Sequence, residues 1–306
     1  MKIVIGGANG LLGKRLVLAL RARGDEVVAL VRGPGGLRGD GGLYAVWDGR
    51  TVSPNWTRFV EVADAVINLA GANVGSERWS EARKREILSS RIDSTRALVS
   101  AMRSATRRPA VFLCASAVGY YGSRGDEALD ERAPPGRDFL AQVCAEWEAE
   151  ANTAGPLSVR VVSLRTGVVL APEGEGSALD QLLIPFKLFV GGPVGSGKQW
   201  FPWIHLDDEI AAILWALDHP ELRGPLNLVS PGIATMGDFC AALGKALHRP
   251  SWLPVPAFAI RAAIGEFAEA LLGGQRALPS KLLSSGFSFR HPALPAALAQ
   301  LLSKHN

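Results

Sequence analysis

The chain has 306 residues, 48% of them hydrophobic, enough to bury a large core in one extended α/β domain or in one domain with a cap. Its formal charge of +4 comes from 33 basic and 29 acidic residues that are interspersed rather than gathered into a stripe. A nucleic-acid partner is therefore not expected, and the mild cationic excess suits an anionic small molecule.

The first predicted element is a strand, Ile3-Val4-Ile5, running straight into Gly7-Ala8-Asn9-Gly10-Leu11-Leu12-Gly13. A missing side chain at Gly7 permits a tight turn, one at Gly10 lets backbone N–H groups approach a pyrophosphate, and one at Gly13 lets the next helix lie close to the sheet. Leu11, Leu12, Leu16, Val17 and Leu20 keep helical spacing, Arg23-Gly24-Asp25 stops the helix, and Val27 to Val31 reads as a second buried strand. The unit fits the roughly thirty residues of a dinucleotide fingerprint, whose helix N-terminus faces the phosphates. After the second strand an acid bonds the 2′-hydroxyl of NAD, whereas an arginine accommodates the 2′-phosphate of NADP. Arg32 stands there, after Val31, and the nearest acids, Asp25 and Glu26, precede the strand, so NADP is expected; an ordinary surface arginine is the alternative.

Leu43 to Trp47 reads as a short strand followed by Asp48, either a partner of the adenine amine or an exposed turn residue. Ala65 to Gly71 reads as another strand. Its end, Asn68-Leu69-Ala70-Gly71, offers small residues for close approach to a ribose, or a plain tight turn. A helix over about 80–104, a strand over 110–115, a helix over 138–151 and a strand over 159–164 continue the alternation. The expected fold class is α/β, a Rossmann-type doubly wound parallel sheet.

The second half has more proline and longer helices, expected at 207–217, 235–247, 257–272 and 295–302, with strands at Leu226 to Val229, Trp252 to Val255 and Phe287 to Phe289. It reads as a smaller α+β lobe covering a substrate. The expected division is a nucleotide-binding domain over 1–170, whose sheet later segments are free to join, and a lobe over 171–306. Arg261, Glu266 and Glu269 argue against a lipid-spanning helix at 257–272, so no membrane partner and a cytoplasmic monomer or homodimer are expected. Cys114, Cys144 and Cys240 are too scattered for a disulfide framework or a metal pair and read as buried thiols; no metal is expected. Gly192 to Lys198 fits the first places of a phosphate-binding loop, but Gln199 stands where a hydroxyl must reach magnesium. It reads as a flexible loop in which Lys198 and Gln199 touch substrate, with Trp79 and Trp200 lining an apolar pocket or serving the core.

Together these features resemble the extended, epimerase-like short-chain dehydrogenase/reductases. More narrowly, Glu77-Arg78-Trp79, Ser90 to Thr95, Ser116-Ala117-Val118-Gly119-Tyr120-Tyr121-Gly122, Leu164 to Leu170 and Gln199 to His205 resemble its atypical NADP-binding "epimerase family protein" group. Gln275 to Pro279 and Ser285-Gly286-Phe287 resemble the additional C-terminal domain of that group, at about 250–300. The resemblance implies that Arg91, at a helix position that carries asparagine in typical relatives, contacts NADP, that Glu86 orients it, and that Val169 lines the nicotinamide end. A surface ion pair is the competing account of Arg91 and Glu86.

Typical relatives use a Ser, a Tyr and a Lys four residues after the Tyr, the lysine lowering the phenol's pKa while hydride moves. Ser116 matches the serine. No lysine lies between Lys84 and Lys187, and Phe139-Leu140-Ala141-Gln142-Val143 stands where the Tyr-x-x-x-Lys helix belongs. Tyr120 or Tyr121 is the expected substitute acid, unless both serve packing; His205 is another, or else a helix cap. The expectation is an NADP(H)-dependent oxidoreductase or epimerase-like protein acting on a small molecule. The rival is a non-catalytic NADP(H)-binding redox sensor or interaction protein; some relatives of the group carry a cell-division-inhibitor label, for which the residues here offer no basis.

Overall fold

The computed structural model describes residues 1–33, 42–172 and 176–303. In chain order the first half runs β1 (Lys2–Gly6), α1 (Leu11–Ala22), β2 (Glu26–Val31), β3 (Leu43–Val46), α2 (Pro54–Glu61), β4 (Ala65–Asn68), α3 (Glu81–Ser104), β5 (Val111–Ala117), β6 (Ala128–Leu129), α4 (Phe139–Asn152) and β7 (Arg160–Thr166). The rest runs β8 (Val168–Leu170), α5 (Ala178–Lys187), β9 (Trp203–His205), α6 (Leu206–Asp218), β10 (Gly224–Leu228), α7 (Met236–Leu247), α8 (Ala257–Ile264), α9 (Ala268–Leu272), β11 (Arg276–Ala277), α10 (Ser280–Ser284) and α11 (Leu294–Leu302).

Central strands such as Ile3-Val4-Ile5 and Ala65-Val66-Ile67 are apolar at every position because both faces of the sheet are covered. Among the described residues seven strands form one sheet in the order β10-β7-β5-β4-β1-β2-β3, parallel throughout. One face packs against α1 and α6, the other against α2, α3 and α4. The strand order reverses at β1, between β2 and β4, and ligands of such sheets lie in the crevice outside the strand ends there. β10 lies beyond residue 170 yet forms one edge of the main sheet.

A third cluster joins α5, α7 and α11 in the C-terminal part. This part is tied to the sheet by the parallel pairs β8 with β9 and β6 with β11, and by Asp208, whose carboxylate accepts the backbone N–H groups of Arg290 (2.7 Å) and His291 (2.9 Å).

Several sequence expectations are corrected. No strand forms at 252–255: Pro254 and Pro256 supply no N–H, the N–H groups of Trp252 and Leu253 go to the Gly191 carbonyl, and Val255 makes one isolated bridge to Val194. Phe287 and Phe289 are not a strand either; their rings meet edge-on at 4.8 Å in a packed loop. The single helix expected over 257–272 is split into α8 and α9 at Gly265, whose φ of +65° leaves the helical region. Three helices were not anticipated, α2, α5 and the five-residue α10. α2 is capped by Ser53, starts on Pro54 and buries Trp56 and Val60; α5 carries Pro185 inside it. No helix of the described residues is long and apolar enough to cross a membrane.

Candidate functional site

β1 delivers Gly7 to the crevice with φ +79°, where a Cβ would lie 2.5 Å from the Leu69 carbonyl carbon. A Cβ at Gly13 would lie 2.3 Å from the Gly7 oxygen, so both glycines are required by close backbone approach. Gly10 N–H donates to the Gly7 carbonyl at 3.1 Å, and α1 then starts without a side-chain cap or an acidic residue in its first turn. Its first N–H groups and positive dipole end therefore remain available to an anion. Ala8 is buried, Leu11 and Leu12 are half-buried, and Asn9 and Gly10 are exposed at the rim.

Across the crevice, buried Asn68 donates to Ser94 Oγ (3.3 Å) and Thr95 Oγ1 (3.0 Å), and its Oδ1 accepts the Ala70 N–H (3.1 Å). This fixes Leu69, Ala70 and Gly71 at the strand end. The Arg91 guanidinium packs against Gly71, donates to the carbonyls of Ala72 (3.1 Å) and Ile87 (2.9 Å), and lies 5.0 Å from the Trp147 ring. Burial pulls its pKa below the usual arginine range, and among the described residues no carboxylate pairs with it. Glu86 does not orient Arg91: it bonds Arg83 at 2.7 Å, and Arg83 also holds the loop before α3 through Asn73 O and Ser76 Oγ. Arg32 is exposed just past buried Val31. Asp48 spends its carboxylate within its own turn, on Arg50 N–H, Thr51 N–H and the Thr51 hydroxyl, which hold its pKa at about 2. Half-buried Val169 pairs with Ile204 beyond the end of β7.

The expected catalytic residues separate. Ser116, Arg165 and Asn227 stand side by side on β5, β7 and β10. Ser116 Oγ donates to Glu148 Oε1 at 2.7 Å, Arg165 grips both Glu148 oxygens at 2.8 Å, and Arg165 Nη1 donates to the Tyr121 oxygen at 3.0 Å. Tyr121 in turn donates to Asn227 Oδ1 at 2.7 Å. Burial pushes the Tyr121 phenol up to about 12. Burial also opposes the charge on Arg165, but its bonds to Glu148 and Tyr121 outweigh this and hold its pKa above the usual arginine range. Tyr121 is thus a sealed structural phenol. Tyr120 is half-buried, with the Arg165 carbon Cζ 3.4 Å from its ring centroid.

Over residues 3–228 the chain matches the family described as "NAD dependent epimerase/dehydratase family", and residues 255–301 match a "Domain of unknown function (DUF1731)". The chain belongs to the NAD dependent epimerase/dehydratase family.

Within the family it is 40% identical to an Arabidopsis thaliana protein named "Epimerase family protein SDR39U1 homolog, chloroplastic", over 99% of this chain and 87% of that one. It is 41% identical to the Mycobacterium bovis "Epimerase family protein Mb2239" over 97% of this chain and 96% of that one. The crystal structure of human epimerase family protein SDR39U1 with NADPH is similar with a TM-score of 0.89 and 35% identity, covering 99% of both chains. The fold and the family resemblance read from the sequence agree with these findings.

The rest of this family member's crevice was largely illegible in sequence. Phe139, first residue of α4, meets Trp79 at 5.1 Å between ring centroids, and Trp79 meets Phe267 at 5.5 Å. Trp79 also donates to Val74 O at 2.8 Å. Trp200 donates to Asp126 Oδ1 at 2.9 Å, while Gln199 donates to the carbonyls of Val194 (2.9 Å) and Leu271 (3.1 Å), and the Lys198 N–H bonds Ser196 Oγ. His205 is buried, accepts the Asp207 N–H on Nδ1, and meets Gln300 Oε1 through Nε2 at 2.9 Å, so it caps α6. It stacks on His291 beside Asp207, but with both ring nitrogens engaged it has no lone pair left for a metal or a substrate. Glu209 was missed altogether. It is buried beside Thr166, with Oε1 accepting from that hydroxyl at 2.8 Å and Oε2 unpartnered, and burial pushes its pKa up to about 8.

Proposed function

We propose that this chain binds NADP(H) and exchanges a hydride with a small molecule in the crevice. The carrying observation is the pairing of an uncapped, acid-free helix start with two guanidinium groups that meet no carboxylate among the described residues, Arg91 beside Gly71 and Arg32 past β2. A dinucleotide carrying a third phosphate supplies the anionic charge these groups lack. The NADPH held by the human relative supports the same choice.

In this reading Gly7 to Leu12 receive the diphosphate, Asn68 to Gly71 adjoin the nicotinamide ribose, Arg32 meets the 2′-phosphate, and Val169 borders the nicotinamide. The bound cofactor supplies or accepts the hydride. Of the expected catalytic groups, Tyr120 is the proton carrier, because the Ser116 and Tyr121 protons are committed to Glu148 and Asn227. The Glu148–Arg165 pair holds Ser116 and Tyr121 in register beneath it. A cytoplasmic setting, a monomer or homodimer, and the separation near residue 170 of a nucleotide-binding from a substrate-covering part belong to the same proposal.

Titration of NADPH and NADH by nicotinamide fluorescence tests it. Saturable binding with at least about tenfold preference for NADPH is expected, roughly 1.4 kcal/mol; no saturable uptake of either dinucleotide sinks the reading.

A further inference from the structure

Three rings from three distant parts of the chain converge at one point of the crevice: Trp79 from the loop after β4, Phe139 from the start of α4, and Phe267 from the turn between α8 and α9. All three are half-buried, so each keeps an open face or edge. Phe139 lies beside the loop that carries Tyr120, since Leu140 packs on Gly119 and Asp138 on Gly122. The cation over the Phe139 ring, Lys84 at 5.7 Å, is already neutralised by Glu81 (2.8 Å) and Glu266 (3.1 Å). This wall offers flat apolar surface and edge-on quadrupoles that favour a planar ligand, and the guanidinium at its edge, Arg78, donates to the Ala262 carbonyl at 3.0 Å. Val143, one turn after Phe139, cannot assist proton transfer, and the chain has no lysine between Lys84 and Lys187. An acceptor here must therefore be electrophilic without a lysine-assisted phenol.

We propose that the molecule taken by this wall is a planar conjugated dicarbonyl of the quinone class, stacked among Trp79, Phe139 and Phe267. This rests on the NADP(H) reading above. The step balances as hydride from reduced nicotinamide adding to the quinone while one proton, passed by Tyr120 and replaced from water, ends on oxygen. Quinone gains two electrons and becomes hydroquinone; NADPH becomes NADP+.

The test uses the full-length protein with menadione and phenanthrenequinone as probes and UDP-glucose and cyclohexanone as controls. Quinone binding is read by tryptophan quenching with NADP+ present, turnover by loss of NADPH absorbance, and cofactor binding by a separate NADPH titration. Saturable quinone binding, one hydroquinone per NADPH, and silence from both controls are expected. Phe139→Ala should weaken quinone binding about tenfold while NADPH affinity stays within about a factor of two. Phe139→Leu, which keeps bulk, should fall between, guarding against a folding defect. Normal NADPH binding with neither quinone bound nor reduced overturns this inference and leaves the cofactor reading standing. Unchanged quinone affinity in a folded Phe139→Ala protein overturns the assignment of the wall. Failure to bind NADPH removes both.

Discussion

Arg165 and Glu148 form a two-pronged ion pair, Nε to Oε1 and Nη2 to Oε2 both at 2.8 Å, with side chains only 3% and 9% exposed. Ser116 and Tyr121, on the other ends of these two groups, are committed by it to bonds inside the protein. The pair therefore keeps Tyr121 sealed inside the protein, and both of its own partners are buried with it.

Removing one partner leaves the other charged and buried. Glu148→Ala is expected to cost about 3–5 kcal/mol, whereas a double replacement of Glu148 and Arg165 by apolar residues of similar volume should cost much less. Urea unfolding of the three proteins checks this; a single variant as stable as the parent would mean that the pair contributes nothing.

The two neighbouring tyrosines are expected to behave oppositely. Tyr121→Phe deletes bonds to Asn227 and Arg165 and should lower stability by about 1–3 kcal/mol without altering NADPH affinity. Tyr120→Phe should leave the melting temperature nearly unchanged and lower quinone turnover at least about tenfold. The reverse pattern would exchange their roles.

Glu209 gives the protein a specific pH dependence. Its folded pKa of about 8 lies above that of an exposed glutamate, so the fold holds a proton that the unfolded chain releases. The sign follows: this contribution is fully present below the unfolded pKa, declines by about 1.4 kcal/mol per pH unit above it, and levels off as pH rises through the folded value. Glu209→Gln should flatten the melting temperature between acidic and mildly alkaline pH and raise it at the alkaline end. Parallel curves for parent and variant would show that Glu209 is not protonated in the fold.

At the other end of the crevice, Arg32→Asp should weaken NADPH by at least about tenfold and leave NADH nearly unchanged. Superimposable NADPH titrations would take Arg32 out of the cofactor site.

Gly13→Ala should abolish tight NADPH binding and destabilise the fold, because its Cβ would meet backbone at 2.3 Å; Gly155→Ala, where a Cβ meets nothing within 4 Å, should be silent. Equal behaviour of the two variants in a thermal melt with and without NADPH would refute the close approach.

What the sequence determined by itself was local. The Gly7-to-Gly13 run and the apolar strands with their helical intervals each act over a turn or a few neighbours, so spacing alone declared the fold; the arginine after β2 is legible in the same way, and its role at the cofactor belongs to the proposal. Gly265 was visible too, but whether it would interrupt a helix depended on what packed around it. The tertiary structure alone decided the chemistry-facing end. Ser116 meets Glu148 across 32 residues and Tyr121 meets Asn227 across 106, because parallel register brings β5, β7 and β10 level and α4 lies over them. A proton committed to such a partner looks the same in sequence as a free one, since burial and hydrogen bonding between distant strands follow from packing, which residue spacing does not encode.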